Sequence, residues 1–299
     1  MAKPDRVGIV GLGIMGSAMS ANLVGAGFSV RGYDVLARRR SELSRAGGQP
    51  ARSVRDLAEA APIMITSLPS SAALLEVAAD VARAKRSGQI VIETSTLPVE
   101  IKEQARKLLA LKDIILLDCP LSGTGAQARL KDLAVYASGQ RTAYRRCIPV
   151  FEGFARKHFF LGRFGAGSKM KFLANLLVAI HNVSAAEALV LGMKAGLDPV
   201  TMVRVLSDGA GSSRMLQIRG PMMARNDYGD ATMKVGVWQK DMRIITEFAR
   251  ELDCPTPLFA ATTPVYNAAM ALGFADADTA SVCAVLENWA TIRRRSSSS

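Results

Sequence analysis

The sequence predicts an α/β fold: a doubly wound parallel sheet in the first half, followed by an all-helical second half. Three observations predict it. From the start to about residue 165, short β-rich runs alternate with segments of helical period, the pattern of parallel strands joined by crossover helices. A glycine cluster, Gly11-Leu12-Gly13-Ile14-Met15-Gly16, stands between the first such run and the first helical pattern. Beyond Gly165-Ala166-Gly167 the β-branched runs disappear and long helical patterns take over.

Taken in order, the candidate strands are residues 6–10, 29–34, 63–68, 89–94, 114–118, 133–138 and a shorter run at 158–161. Several are apolar at consecutive positions, which implies burial on both faces. Helices are expected at about 168–195, 199–208, 234–252, 258–272 and 277–292. Asp198-Pro199 marks a helix start, with Asp as N-cap and Pro at the first helical position, and Gly196 ends the helix before it. The boundary between the two halves is expected near residue 165.

The glycine cluster has the context that a G-x-G-x-x-G dinucleotide fingerprint requires, directly after a strand and directly before a helix. Gly11 allows the tight turn, Gly13 lets backbone approach a pyrophosphate, and Gly16 lets helix pack on strand, while the amides around Leu12, Ile14 and Met15 face the anion. Asp34 closes the second strand 18 residues beyond Gly16, where a carboxylate meets adenosine ribose hydroxyls. This is a Rossmann-type arrangement. It predicts NAD or NADP as cofactor: Asp34 favours NAD by repelling a 2′-phosphate, whereas Arg38, Arg39 and Arg40 could hold one or form a solvated helix start. Leu68-Pro69, ending the third long strand, is placed to flank the cofactor at the carboxyl edge of the sheet.

Composition narrows the remaining classes. With 299 residues, 49% of them hydrophobic, the chain can bury one or two sizeable cores. Cys119, Cys147, Cys254 and Cys283 are scattered without a C-x-x-C pair, and only His158 and His181 could join them, which argues against a structural zinc site or a disulfide framework. That usage, and the lack of a leader pattern before the first strand in MAKPDRVGIVGLG, predict a cytoplasmic protein. The apolar stretch 172–191 is interrupted by Asn175, His181, Asn182, Ser184 and Glu187, so it is expected as a buried soluble helix rather than a bilayer span. The net charge of +12 is spread along the chain instead of forming one stripe interleaved with aromatics, and an anionic cofactor and substrate account for it as well as nucleic acid does. Arg293–Arg295 precede a serine tail that is expected to fray.

Two further segments carry candidate chemistry. Asp118-Cys119-Pro120-Leu121-Ser122-Gly123-Thr124-Gly125 puts small residues and free amides after a buried strand, suited to cradling a carboxylate or phosphate, or simply forming a glycine turn. Gly165-Ala166-Gly167-Ser168-Lys169-Met170-Lys171 leads into a helix on which Lys171 and Asn175 share one face, with Asn182 within about 20° of it. Read from the residues alone, Lys171 either snorkels to solvent near the helix start or serves catalysis.

These motifs, in this order, resemble the β-hydroxyacid dehydrogenase family, which includes 3-hydroxyisobutyrate dehydrogenase, tartronate semialdehyde reductase and the related 6-phosphogluconate enzymes. The resemblance rests on G-L-G-x-M-G at Gly11–Gly16, D-x-P-x-S-G at Asp118–Gly123, G-x-G-x-x-x-K-x-x-x-N at Gly165–Asn175, and the pair Lys240-Asp241, and it extends over essentially the whole chain. It implies hydride transfer between a nicotinamide and a small β-hydroxy acid or its semialdehyde, with Lys171 as general acid and base and Asn175 steadying substrate. Ser122 and Gly123 would bind the substrate carboxylate, Thr96 would lie near nicotinamide and substrate, and Lys240 would reach the cofactor cleft. Residues 1–165 would then form the nucleotide-binding domain and 166–299 a helical substrate and oligomerisation domain, its long helix at the interdomain cleft, in a homodimer or homotetramer. Many members carry S-G-G where this chain has Ser122-Gly123-Thr124, so a hydroxyl is expected on the pocket floor.

In reduction, a lysine ammonium can donate its proton without a shifted pKa; in oxidation it must first be neutral, which an unperturbed lysine is in only about one of a few thousand molecules at neutral pH. Burial and the charge of Lys169 are expected to lower the Lys171 pKa. The resemblance leaves two alternatives: an imine reductase-like enzyme, disfavoured by Lys171 with Asn175, and a non-catalytic homologue that binds nucleic acid or chromatin, disfavoured by the intact motifs.

Overall fold

Apolar runs too short for helices assemble the sheet that carries the motifs. The computed structural model describes residues 6–84 and 87–294, so the start of the chain, Arg295 and the serine tail lie outside the described residues. The chain divides into two units, Met1–Lys171 and Phe172–Ser299. In the first, strands β1 (Arg6–Val10), β2 (Ser29–Tyr33), β3 (Gln49–Pro50), β4 (Ile63–Thr66), β5 (Ile90–Glu93) and β6 (Ile115–Asp118) form a parallel sheet in the order β3-β2-β1-β4-β5-β6. This is the doubly wound arrangement the sequence predicts, with β3 as an added short edge.

Register determines what the sheet presents. Val10 pairs with Tyr33 and with Thr66, Thr66 with Glu93, and Glu93 with Asp118. One row of five residues therefore ends five strands at the same level. Every segment leaving that row, from Gly11, Asp34, Ser67, Thr94 and Cys119, emerges at the carboxyl edge, where ligands of such sheets bind. The order reverses between β1 and β4, and this switch point lies at the glycine turn.

Alternation along the strands feeds two cores. Val7, Ile9, Ile63, Ile65, Ile90, Ile92 and Leu117 face α1 (Ile14–Gly25) and α7 (Arg141–Phe154), meeting Met19, Leu23, Phe151 and Phe154. Val10, Met64, Val91 and Leu116 face α3 (Val54–Ala60), α4 (Ser71–Arg83) and α5 (Val99–Ala110), meeting Leu57, Val81, Ala105 and Leu109. The remaining helices of this unit are α2 (Ala37–Arg45) and α6 (Gly125–Arg129).

The last two expected strands do not join the parallel sheet. β7 (Leu121–Ser122), β8 (Ala134–Ala137) and β9 (Lys157–Phe160) form a second sheet in which β7 and β8 are antiparallel and β8 and β9 parallel. The cause lies at the end of β6. Asp118 exchanges backbone hydrogen bonds with Ser138 in an antiparallel bridge, so the returning chain runs against β6 instead of crossing over beside it.

The helical half comprises α8 (Ala166–Lys194), whose first residues belong to the first unit, then α9 (Pro199–Asp208), α10 (Arg214–Arg225), α11 (Val235–Glu251), α12 (Pro257–Ala271) and α13 (Val282–Trp289). Helix α10 is not foreseen, because Gly220-Pro221 interrupts its pattern; Ser213 caps it by accepting the Leu216 amide. Among the described residues α8 is also the one helix long and apolar enough to cross a membrane by length and composition. Of its polar interruptions two are buried and partnered, Asn175 donating to Asp241 and Asn182 to the Tyr266 hydroxyl and the Thr279 carbonyl, whereas His181 is half-buried and Ser184 and Glu187 are exposed.

The expected helix at 277–292 starts late because Asp278 has another role. Its buried carboxylate accepts from Arg219 at 3.0 Å, from the Thr232 amide and hydroxyl, and from the amides of Met233 and Ala280. Burial alone would raise its pKa; the Arg219 charge and the donors outweigh that and hold it below the ordinary 3.8. A depressed carboxyl contributes stability that is present above 3.8 and lost as pH falls through the lower folded value. Replacing Asp278 by Asn strands the Arg219 charge and is expected to cost about 3–5 kcal/mol. Urea unfolding at neutral pH should read that loss, and the difference from the parent should shrink in acid.

Candidate active site

The glycine turn is built by contacts that only this sequence pattern admits. Gly11 sits at φ +88°, and a Cβ there would lie 2.1 Å from the Ser67 carbonyl oxygen, so the ends of β1 and β4 meet without a side chain between them. Over Gly13 the space is open: a Cβ would meet nothing nearer than the Arg39 guanidinium, at 3.9 Å. Gly13 also caps α1, whose first-turn amides have no carbonyl partner within the helix. An open backbone surface at a helix N-terminus on the switch point fits a dinucleotide pyrophosphate. Ile14 is exposed and Met15 half-buried on this turn, while Leu12 points into the core.

Asp34 is buried, and its carboxylate is engaged by the protein. The Leu12 amide donates to Oδ2 at 2.8 Å, the Leu36 amide to Oδ1 at 2.9 Å, and Arg39 to Oδ2 at 3.1 Å. Burial would raise its pKa; the two amides and Arg39 prevail and keep it below the usual carboxylate range. The structure also separates the three arginines. Arg38 is exposed and pairs with Glu42, Arg40 stacks over Tyr33 and donates to the Asp34 carbonyl, and Arg39 alone reaches the glycine turn.

The second motif packs on the first. A Cβ on Gly125 would lie 2.4 Å from Ile14, and Asn22 of α1 donates to the Ala128 carbonyl, so the Ser122–Gly125 loop rests on the glycine turn. Ser122, Gly123 and Thr124 are half-buried there. The Thr124 hydroxyl accepts the Gln127 amide, and Gln127 Oε1 accepts the Thr124 amide in return. This capping box of α6 was legible as T-x-x-Q.

A buried polar network, unread in the sequence, ties these loops to the start of α8. The Ser95 hydroxyl accepts the Leu68 amide, and Glu93 Oε1 accepts the Ser95 amide. Lys102 of α5, wholly buried, lies 2.6 Å from Glu93 Oε2 and 2.8 Å from Asp118 Oδ1. Asp118 then accepts the Ser168 amide at 2.8 Å and hydroxyl at 2.7 Å, and Ser138 accepts the Gly167 amide while donating to Asp118. Gly167 is required: a Cβ would lie 2.2 Å from the Tyr136 carbonyl oxygen. The network thus joins Leu68 and the stretch around Thr96 to the turn that precedes Lys171. Pro69 is exposed, next to the α4 cap Ser70; Thr96 and Lys171 are half-buried.

Within the second unit, Asn175 and Lys240 converge on one acid. Asp241 is buried, accepts the Asn175 amide at 2.9 Å and lies 3.2 Å from Lys240 Nζ. The Lys240-Asp241 pair is therefore no surface ion pair, because its carboxylate orients the side-chain amide of Asn175. Asn182, on the same side of α8, is taken up by Tyr266 and Thr279.

Comparison with known proteins agrees with this geometry. Residues 6–162 match the family model for the NAD binding domain of 6-phosphogluconate dehydrogenase, and residues 165–286 that for the NAD-binding region of NADP-dependent 3-hydroxyisobutyrate dehydrogenase. The chain is 32% identical to an L-threonate dehydrogenase of Cupriavidus necator, over 93% of this chain and 94% of the relative. A crystal structure of 3-hydroxyisobutyrate dehydrogenase from Salmonella typhimurium superposes with a TM-score of 0.85 at 29% identity, covering 94% of this chain and 99% of that one. An imine reductase from a Pseudomonas species shares the fold at a TM-score of 0.61 and 22% identity, covering 95% and 100%. With both halves matched and the dinucleotide turn intact, the chain belongs to the β-hydroxyacid dehydrogenase family and is a nicotinamide-dependent oxidoreductase of small hydroxy acids.

Proposed function

We propose that Lys171 is the general acid and base at the substrate oxygen, with Asn175 steadying the substrate beside it. Ser122 and Gly123 hold the substrate carboxylate, with Thr124 beside them in the substrate pocket. Thr96 and Leu68-Pro69 border the nicotinamide, and Lys240 faces the cofactor. The observation that carries this reading is the tie between Asp118 and Ser168, which fixes the turn before Lys171 to the sheet edge that bears the glycine turn. A bound nicotinamide supplies or accepts the hydride. In reduction the Lys171 ammonium gives its proton to the oxygen that gains charge; in oxidation the neutral amine removes it.

The substrate class is a small β-hydroxy acid or its semialdehyde. Incubating the protein with a series of such semialdehydes and reduced NAD or NADP should consume the reduced cofactor. Turnover of cyclic imines with none of the semialdehydes would give the imine reductase reading instead.

Both cofactors are accommodated in this reading. Asp34 favours NAD, but Arg39 already covers its Oδ2 and can turn its guanidinium to a 2′-phosphate. A charge-assisted bond of about 1.5–3 kcal/mol corresponds to roughly 10- to 100-fold, so Arg39→Ala should lower kcat/KM for NADP by that factor relative to NAD. An unchanged ratio would exclude Arg39 from that contact.

The protein is proposed to be cytoplasmic and to assemble as a homodimer or homotetramer. Exposed Leu173, Leu177 and Leu191 on α8 supply apolar surface for it, and light scattering in solution measures the mass.

A further inference from the structure

Helix α5 buries Ala105 and Leu109 against the sheet, and on the same stripe, three residues before Ala105, it buries Lys102. A lysine with no exposed surface requires compensation, and it has two carboxylates, from the adjacent ends of β5 and β6. Two acids and one base leave a net negative charge in the interior. The first-turn amides of α8 answer it: Ser168 donates directly to Asp118, and Gly167 through Ser138.

Stability alone does not account for this arrangement. Desolvating three ionised groups offsets most of their attraction, and apolar replacements of such triads are often neutral or stabilising. What the charges add is direction. Glu93 holds Ser95 on one oxygen and Lys102 on the other, and Asp118 holds Lys102 and Ser168, so the 93–96 stretch, the Leu68 turn and the head of α8 are tied through one buried base.

We propose that Lys102 is a positioning residue for proton transfer at Lys171: by bridging Glu93 and Asp118 it holds the 93–96 loop and the first turn of α8 in one frame. This rests on the reading of Lys171 as the acid and base. Lys102 touches neither substrate nor cofactor. Its effect on turnover passes through the orientation of Lys171, one helical turn beyond Ser168.

The test is a double-mutant cycle of Lys102→Met and Lys171→Ala, with thermal unfolding and reduced-cofactor titration for each protein. Lys102→Met should bind cofactor within about threefold of the parent and lose roughly 10- to 100-fold in kcat, the penalty for a small misplacement of reacting groups. In the Lys171→Ala background the same change should cost no more than about twofold, because the group it positions is gone. An equal loss in both backgrounds, or a folded Lys102→Met with kcat within about twofold of the parent, overturns the proposal. If Lys102→Met does not fold, Glu93→Gln decides by the same cycle, since it leaves Lys102 and Asp118 as a neutral pair. Near-normal turnover of Lys171→Ala would instead remove the reading of Lys171; a crippled Lys171→Ala beside an unaffected Lys102 variant removes only this inference.

Discussion

Lys171→Ala is expected to lose at least ~10²-fold in turnover while its affinity for reduced cofactor stays close to the parent's, since a positioned acid or base contributes about 10²- to 10⁴-fold. The dissociation follows from location. Lys171 lies in the first turns of α8, after Gly167 and Ser168, whereas the surface proposed for the pyrophosphate is the Gly11–Gly16 backbone. Lys171→Arg sharpens the expectation. A guanidinium keeps the charge and can stabilise a forming alkoxide, but it does not deprotonate, so oxidation should fall further than reduction. Steady-state rates in both directions and fluorescence titration of reduced cofactor read these effects. Turnover of Lys171→Ala near the parent value would remove Lys171 from the mechanism.

What could be read beforehand was whatever is encoded locally. The long strands of the parallel sheet and the glycine turn were legible because apolar run, glycine spacing and helical period are adjacent in sequence. Helix α9 was legible to the residue because Asp198 caps it and Pro199 starts it. What escaped is tertiary. Nothing local shows that the Asp118 bridge to Ser138 returns the chain into a second sheet, or that Asp278 takes six donors and delays the last helix.

Some signals were present but not weighed. Lys102 shares an apolar stripe with Ala105 and Leu109, and acids end two consecutive strands at Glu93 and Asp118, so a buried base facing two acids was open to inference. Thr124 and Gln127 have capping-box spacing, which assigns the hydroxyl to a helix start. Among Arg38, Arg39 and Arg40, by contrast, only the tertiary fold singles out Arg39, because all three lie on one helical turn and differ only in what faces them.

Gly16→Ala is expected to weaken cofactor binding by roughly 10- to 100-fold, the equivalent of about 1–3 kcal/mol of overpacking borne by the turn. Gly16 has ordinary helical geometry, so backbone strain is not the source. A Cβ there would lie 1.8 Å from the Gly11 carbonyl oxygen and 2.9 Å from its carbon, both backbone atoms that cannot swing away. The turn must open, and Leu12, which anchors it to Asp34 through its amide, must shift with it. Gly25, at the other end of the same helix, is the control: a Cβ there meets nothing within 4 Å. Gly25→Ala should leave affinity unchanged and raise stability slightly, by about 0.5–1 kcal/mol, as alanine replaces glycine in a helix. If Gly16→Ala bound cofactor as tightly as Gly25→Ala, the close contact between the ends of the turn would not be what shapes the nucleotide site.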